Sequence, residues 1–175
     1  MSRFFGPPTQ HGVVVPSLEA ALTYWTEVVG AGPFFMIGQP PHTSFHIGDT
    51  PAEEPKMRIA MGNWGDMQIE LIEPQGDGPA TWHQFLRQRG GGLHHTSVWT
   101  ADYDAMIGAA RERGLAIEVA GALANGVRYT YFRSPTPCDP LIEVSELLPD
   151  VAAAYAFIRE AAIDWDGSDP IRQFG

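Results

Sequence analysis

Two stretches of the chain repeat the same order of predicted elements. The first, HGVVVPSLEAALTYWTEVVGAGPF from His11, reads as a histidine, a β-branched strand, a helix start, an amphipathic helix and a glycine stop. The second, HHTSVWTADYDAMIGAARERGLAIEV from His94, repeats that order. The closing strands also match, because IELIE at 69–73 corresponds to IEVSE at 142–146. This internal duplication restricts the fold to two similar units that share one core.

Each half is predicted to be a β-α-β-β-β module, at residues 9–75 and 93–147, with a linker helix at 79–89. We therefore expect an α+β fold, in which residues 1–147 form one domain. Its two modules pair into a curved, mixed and mostly antiparallel sheet with outer helices. Residues 148–175 lie outside the duplication and predict a C-terminal helix, docked through Tyr155, Phe157 and Ile158, and an irregular tail.

Charge and composition disfavour several classes of partner. The chain has 11 Lys and Arg against 21 Asp and Glu, a formal charge of -10 that repels nucleic acid and anionic membranes. It lacks both a signal-peptide pattern and the roughly 18 consecutive apolar residues of a membrane span, so we expect a cytoplasmic protein. Cys138 is the single cysteine, which excludes an internal disulfide framework.

Two glutamates interrupt the apolar closing strands of the two halves. Side chains alternate along a strand, so Glu70 and Glu143 project away from their apolar neighbours, toward the inner face of the sheet. Burying a carboxylate there is costly unless it is paired or binds a cation. His11 and His95 begin the first strands of the two halves and are expected on that inner face too, whereas His94 is expected on the other.

Together these residues predict a metal site of His11, Glu70, His95 and Glu143. Imidazole and carboxylate ligands suit one divalent ion, which is Zn, Ni, Co, Mn or Fe. The alternative is structural: the glutamates would pair with Arg58 or Arg128 on adjacent strands, and the histidines would be polar residues at strand ends.

These motifs resemble the vicinal oxygen chelate superfamily, which includes glyoxalase I, methylmalonyl-CoA epimerase, extradiol dioxygenases and bleomycin-resistance proteins. The resemblance covers residues 9–147 and is closest to the epimerase branch. It is carried by HGVVVPSLEAALTYWTEVVGAG, EPKMRIAMGNWGDMQIELIEP, FLRQRGGGLHHTSVWTADYDAMI and LIEVSE. It implies the paired βαβββ fold, and a divalent metal on the predicted quartet that binds two oxygens of a substrate or intermediate. It further implies Glu54 as a catalytic base, with Glu53 as a substitute.

The chain departs from the epimerase pattern in two places. SPTPCDPLIE lacks the lysine and glycines expected before the last strand, which disfavours a CoA thioester. The passage after FFMIG is a longer, more aromatic loop than expected. The predicted pocket for a bulky or aromatic substrate is lined by Phe34, Phe45, Trp64, Ser97 and Trp99.

The leading functional hypothesis is a metal-dependent isomerase, epimerase or lyase. Glu143 and Glu54 would move a proton next to a carbonyl through an enolate-like intermediate. One alternative is an Fe(II) ring-cleaving dioxygenase, against which Glu70 counts as a surplus ligand. Another is a metal-free binding protein of the bleomycin-resistance type, which would not need four ligands. We expect a homodimer, in which each site lies within one chain or is shared between two. The substrate is a small molecule whose identity stays open, and an acyl-CoA is one of the candidates.

Overall fold

Eleven strands and four helices make up the described part of the chain, which is residues 2–38, 40–133 and 140–174 of a computed structural model. In chain order these are β1 (Gln10–Val14), α1 (Leu18–Thr23), which continues as a π-helical segment (Tyr24–Val29), β2 (Phe34–Ile37), β3 (His42–Ile47), β4 (Thr50–Pro51), β5 (Met57–Trp64), β6 (Met67–Pro74), α2 (Thr81–Arg89), β7 (Gly92–Thr100), α3 (Tyr103–Glu112), β8 (Ala116–Leu123), β9 (Arg128–Arg133), β10 (Leu141–Glu146), α4 (Pro149–Ala161) and β11 (Ile171–Gln173).

All of these strands belong to one sheet, in the order β11-β2-β5-β6-β1-β7-β10-β9-β8-β3-β4. The two halves meet where β1 pairs antiparallel with β7. Parallel pairing is confined to β1 with β6, β7 with β10, and the short edge strand β11 with β2. The predicted α+β fold with a mixed, mostly antiparallel sheet is confirmed.

The pairing of β1 with β7 corrects the predicted alignment of the two halves by one residue. Gln10 pairs with Ser97, and Gly12 pairs with His95. Gly12 also pairs with Glu70, and Ser97 pairs with Glu143. Because these glutamates match in the repeat, Gly12 is the equivalent of Ser97 and Gln10 is the equivalent of His95. His11, which was aligned with His95, instead pairs with Thr96 and is its equivalent.

Helices α1 and α3 cover the outer face of the sheet. Leu18 and Leu22 of α1 pack against Leu71 of β6, and Ala110 of α3 belongs to one cluster with Val144 of β10. Because side chains alternate along β6 and β10, the residues next to Leu71 and Val144 project to the inner face. This parity places both strand glutamates on the inner face, as predicted.

The passage predicted as a long loop contains a hairpin. β2 lies at the expected FFMI. β3 and β4 then form an antiparallel pair at the edge of the sheet, and the other side of β3 pairs with β8 of the second half. Phe45 of β3 lies opposite Gly121 of β8. The first half therefore contributes strands to the far edge of the sheet, and residues around His42 come next to the second half.

The C-terminal segment packs on the inner face of the sheet. Ile158 of α4 contacts a cluster that includes Phe35 of β2 and Met61 of β5. Tyr155 also packs against this cluster, as expected, whereas Phe157 stays 54% exposed and touches the Phe35 ring edge-on at 5.3 Å. α4 therefore covers the inner face, and β11 extends the sheet beside β2.

The longest described helix, α4, has 13 residues, and no helix in the described ranges combines the length and apolar character of a membrane span. Cys138 lies outside the described residues, as does all of SPTPCD, the segment in which the sequence differs from the epimerase pattern.

Shortening Ile158 to alanine should destabilise the protein by about 2–4 kcal/mol, because its side chain is 1% exposed and its loss leaves a cavity under α4. Ile163→Ala is the matched control, because Ile163 is 61% exposed and its loss should change the free energy of unfolding by less than about 0.5 kcal/mol. Urea unfolding followed by circular dichroism measures both. Equal losses would contradict the packing of α4 on the sheet.

Candidate functional site

The centre of the inner face holds an imidazole between two carboxylates. His95 Nε2 lies 3.4 Å from Glu70 Oε2 and 3.3 Å from Glu143 Oε2, and all three residues are buried. Both glutamates occupy equivalent positions, because Glu70 lies beside Gly12 and Glu143 beside Ser97. The structure therefore brings together three of the four predicted metal ligands, and we call these three residues the central cluster.

Gly12 makes the space that His95 fills. A Cβ atom built on Gly12 would lie 1.8 Å from His95 Cε1, far inside van der Waals contact. Any side chain at this position would displace the imidazole from between the glutamates. The small residue at the equivalent position, Ser97, is buried, and its hydroxyl has no hydrogen-bond partner among the described residues.

His11 lies outside the central cluster. It is half-buried on the other side of β1, where its Nδ1 is 3.2 Å from Thr96 Oγ1, and burial lowers its pKa. Gln10 takes the inner position instead and lines the central cavity, with its Nε2 donating to Gln68 Oε1 at 2.7 Å. Matching the two histidines by identity hid this; aligning the small residues Gly12 and Ser97 would have revealed it.

His95 attracts both carboxylates of the central cluster, and the two carboxylates repel each other. Burial raises the pKa of Glu70, an effect that His95 opposes and Glu143 reinforces. Burial lowers the pKa of His95, but hydrogen bonding and attraction from Glu143 and Glu70 outweigh it and raise that pKa to about 9. Without a bound metal ion, the two acids therefore favour a protonated His95 between them.

Neither glutamate of the cluster pairs with an arginine. Arg58 Nη1 instead donates to Glu73 at 2.9 Å, and Arg128 Nε donates to Glu146 at 2.8 Å, both on the other face of their strands. The structural alternative, in which these arginines neutralise Glu70 and Glu143, is therefore wrong.

His94 lies beside His95 and not on the opposite face as predicted. The pairing with β1 passes from His95 directly to Leu93, so a β-bulge leaves His94 unpaired and resets the alternation of side chains. The ring of His94 stacks on Trp82 with centroids 5.9 Å apart. A bulge leaves no signal in the alternation of apolar residues, so it could not be predicted from the sequence.

This bulge lets His94 orient His95. The two Nδ1 atoms are 3.1 Å apart, and His94 Nε2 lies 3.2 Å from Thr81 Oγ1. Burial, with the charge of His95, lowers the pKa of His94 well below its usual range. From this hydrogen-bond network we infer that neutral His94 accepts a hydrogen bond from His95 Nδ1–H. This bond directs His95 Nε2 to the glutamates.

Glu54 reaches the inner face only through His42. Its Oε2 accepts hydrogen bonds from the backbone N–H of His42 at 2.7 Å and from His42 Nδ1 at 2.8 Å, and both lower the pKa of Glu54. On its other side, His42 Nε2 is 2.6 Å from Tyr129 Oη. Glu54 is 47% exposed at its side chain and Glu53 is also exposed, whereas His42 and Tyr129 line the cavity.

This chain of hydrogen bonds could hardly be predicted from the sequence. His42 lacks a partner in the repeat, so the duplication gives no reason to expect it beside Tyr129. Tyr129 fits only because Gly121 opposite it has no side chain: a Cβ on Gly121 would lie 2.6 Å from Tyr129 Oη. Burial, together with the nearby carboxylates, raises the pKa of Tyr129, which keeps its phenol protonated.

A cavity of about 600 Å³ lies between the inner face and α4. The central cluster contributes Glu70 and Glu143 to its wall, and His42 and Tyr129 contribute the polar chain described above. The remaining wall is mainly apolar and includes Met57, Ile59, Met61, Ile72, Trp82, Tyr131, Leu123, Val127, Val151, Ala154, Tyr155 and Ile158.

The five predicted pocket residues lie elsewhere. Phe34 packs in the outer-face core with α1, and Trp64 is 61% exposed beside α1. Phe45 is buried behind Trp82, Ser97 lies beside Glu143, and Trp99 stacks on Tyr155 at 4.3 Å. Aromatic composition alone did not distinguish the two faces of the sheet, so the cavity wall is formed by other residues.

Comparison with known proteins places this architecture in a family. The sequence profile described as Glyoxalase/Bleomycin resistance protein/Dioxygenase superfamily matches residues 9–131. The chain belongs to this superfamily. No curated protein sequence matches it.

Several solved structures share the superfamily fold at low identity. A hypothetical protein from Bacillus halodurans C-125 is 19% identical, with a TM-score of 0.63 over 81% of this chain and 94% of its own. Methylmalonyl-CoA epimerase from Mycobacterium tuberculosis is 24% identical, with a TM-score of 0.59 over 87% and 95%. A Streptomyces coelicolor methylmalonyl-CoA epimerase variant in complex with 2-nitronate-propionyl-CoA is 21% identical, with a TM-score of 0.61 over 81% and 94%.

Adding a methyl group at Gly12 should destabilise the protein by about 1–3 kcal/mol and displace His95, because the new Cβ would overlap the imidazole. Gly108→Ala, in the middle of α3 with open space around it, should instead stabilise the protein by up to about 1 kcal/mol. Urea unfolding gives the energies, and the imidazole signals in proton–nitrogen NMR spectra report on His95. Unchanged stability and spectra in Gly12→Ala would contradict the packing of this site.

Proposed function

We propose that this protein is a divalent-metal-dependent enzyme that transfers a proton at a carbon next to a carbonyl, as an isomerase, epimerase or lyase. The observation that carries the proposal is the central cluster: two carboxylates and one imidazole buried together at the wall of a cavity. Superfamily membership and the fold shared with methylmalonyl-CoA epimerases support it.

The cluster has the donor atoms that a divalent cation requires. His95 Nε2 is buried without a hydrogen-bond partner of good geometry, and it lies 3.3–3.4 Å from two carboxylate oxygens. Neighbouring ligands of an ion with bonds of about 2.1 Å are separated by about 3.0–3.4 Å. In the described ranges no group of three or more His, Cys, Asp or Glu side chains could hold a metal ion with its side chains as they stand.

His95, Glu70 and Glu143 would hold the ion, with the amide oxygen of Gln10 in the place where we had expected His11. Such nitrogen and oxygen ligands suit Zn, Ni, Co, Mn or Fe. When bound, the ion stabilises the negative charge that develops on the substrate oxygen as the proton leaves.

The protein's own residues would move the proton. Glu143 lines the cavity, where its carboxylate can accept a proton from carbon. Glu54 does not reach the cavity, so it would act as a positioning residue that holds His42 Nδ1–H. In that tautomer Tyr129 Oη–H donates to His42 Nε2, so when a proton reaches Tyr129 Oη from the substrate, the phenolic proton would pass on to His42, and the reverse transfer would return one.

The second candidate is a ligand-binding protein of the bleomycin-resistance type. The placement of His11 outside the cluster favours it, because the remaining set has a single imidazole. The same observation weakens the Fe(II) dioxygenase alternative, which requires two histidines and one glutamate.

Metal analysis separates these candidates. Untagged protein purified without chelator should contain one divalent ion per chain by elemental mass spectrometry, and Glu143→Ala should lose it. His11→Asn should keep the ion, while Gln10→His should tighten its dissociation constant about tenfold if the imidazole adds about 1.4 kcal/mol. Protein that stays metal-free after reconstitution with each of the five metals would exclude the proposed enzyme and favour the binding protein.

Glu54→Gln should lower proton exchange by about 10²–10⁴-fold without changing the metal content, because the carboxylate orients the proton-transfer chain. Deuterium incorporation from D₂O into uncharged α-hydroxyketones and 2-alkyl ketones, followed by NMR, is the measurement. The adjacent Glu53→Gln is the matched control and should exchange at the wild-type rate. An equal loss in both variants, or loss of the metal in Glu54→Gln, would contradict this role.

A further inference from the structure

The cavity is enclosed by segments that the β-α-β-β-β modules do not contain. α4 and the residue before it contribute Leu148, Val151, Ala154, Tyr155 and Ile158 to its wall. The region matched by the superfamily profile ends at residue 131, before this helix begins. The part of the wall that α4 supplies therefore lies outside the region that the superfamily profile matches.

Most of the cavity wall is apolar. Met57, Ile59 and Met61 form a row along β5, and Ile158 packs against Ile59 and Met61 from α4. Ligand groups placed between this row and α4 lose water without gaining a polar partner. Such a wall favours hydrocarbon or aromatic groups and penalises charged ones.

The charged residues of the wall are acidic, apart from the imidazole of His42. Glu70 and Glu143 lie in the central cluster, and Asp150 is exposed in the first turn of α4. No lysine or arginine lines the cavity in the described ranges, and the residues outside those ranges contain neither residue type. Away from the central cluster, where two acids offset the charge of His95 or of the proposed metal ion, an anionic group would meet no lysine or arginine on the described wall.

The first turn of α4 does not supply the missing positive charge. Its backbone N–H groups are near the cavity wall, but Asp150 places a carboxylate in the same turn. The partial positive charge of a helix N-terminus, about half an elementary charge, is offset by that acid. The chain as a whole also carries a formal charge of -10.

We propose that the ligand of this cavity is an uncharged, largely apolar carbonyl compound, and not an acyl-CoA thioester or another phosphate-bearing molecule. The volume of about 600 Å³ lies in the range of roughly 300–1,000 Å³ that buries most of a drug-sized molecule. The carbonyl, placed at the central cluster, rests on the proposed function. The uncharged and apolar character follows from the cavity wall alone.

Binding measurements test this inference directly. Metal-loaded full-length protein is titrated with three uncharged probes, which are benzoin, 2-hydroxyacetophenone and 2-methylcyclohexanone, and with propionyl-CoA and free CoA. Isothermal titration calorimetry, with the fluorescence of Trp82 in the cavity wall as a second signal, gives the dissociation constants. At least one uncharged probe should bind about tenfold or more tightly than propionyl-CoA, a difference of about 1.4 kcal/mol. Tighter binding of propionyl-CoA, or no binding of all three uncharged probes, would overturn the inference.

A pair of substitutions on one helix locates the binding. Ala154→Phe fills the cavity from α4 and should weaken binding of the uncharged probe about tenfold or more, equivalent to about 1.4 kcal/mol. Ala153→Phe places the same ring on the exposed side of α4 and should leave binding unchanged. Equal effects of the two substitutions would place the probe outside the cavity and contradict the inference.

The same samples keep this inference separate from the proposed reaction. A probe that binds in the cavity but exchanges no proton in D₂O would support the ligand class and refute the proton-transfer function. Proton exchange in propionyl-CoA, without binding of any uncharged probe, would support the proton-transfer function and refute the ligand class.

Discussion

The contact between the backbone of Gly12 and the imidazole of His95 is the constraint on which the centre of the molecule depends. It lies where β1 meets β7, so it joins the two halves of the chain. The absence of a side chain on Gly12 lets the imidazole of His95 lie between two buried acids, whose charges it partly offsets when it is protonated. Packing, electrostatics and the joining of the halves therefore depend on the same few atoms.

Strand alternation and duplication were sufficient to predict part of this site. They identified Glu70 and Glu143 as inner-face acids and His95 as their neighbour, because those strands are regular and the acids interrupt apolar runs. They misplaced His11 by one residue, because identity of residue type was taken as equivalence of position. The backbone pairing of β1 with β6 and of β7 with β10 decides that equivalence, and it is a long-range property.

Features that depend on distant parts of the chain were the ones that the sequence did not reveal. The β3–β4 hairpin pairs with β8, and Tyr129 binds His42 across 87 positions. α4 has an apolar face that any large surface could have covered, and its place on the inner face follows only from the clustering of Ile158 with Met61. The predicted homodimer stays a prediction, and the cavity is lined by residues of one chain.

The position of the β3–β4 hairpin has a consequence for how this duplicated chain behaves as a molecule. A strand from the first half completes the edge of the second half, so the two modules are interlocked and neither has a finished sheet on its own. Pairing of β3 with β8 joins residues more than seventy positions apart and requires a large loop to close. Because β3 of the first half completes the sheet of the second half, we expect the chain to fold and unfold as one unit.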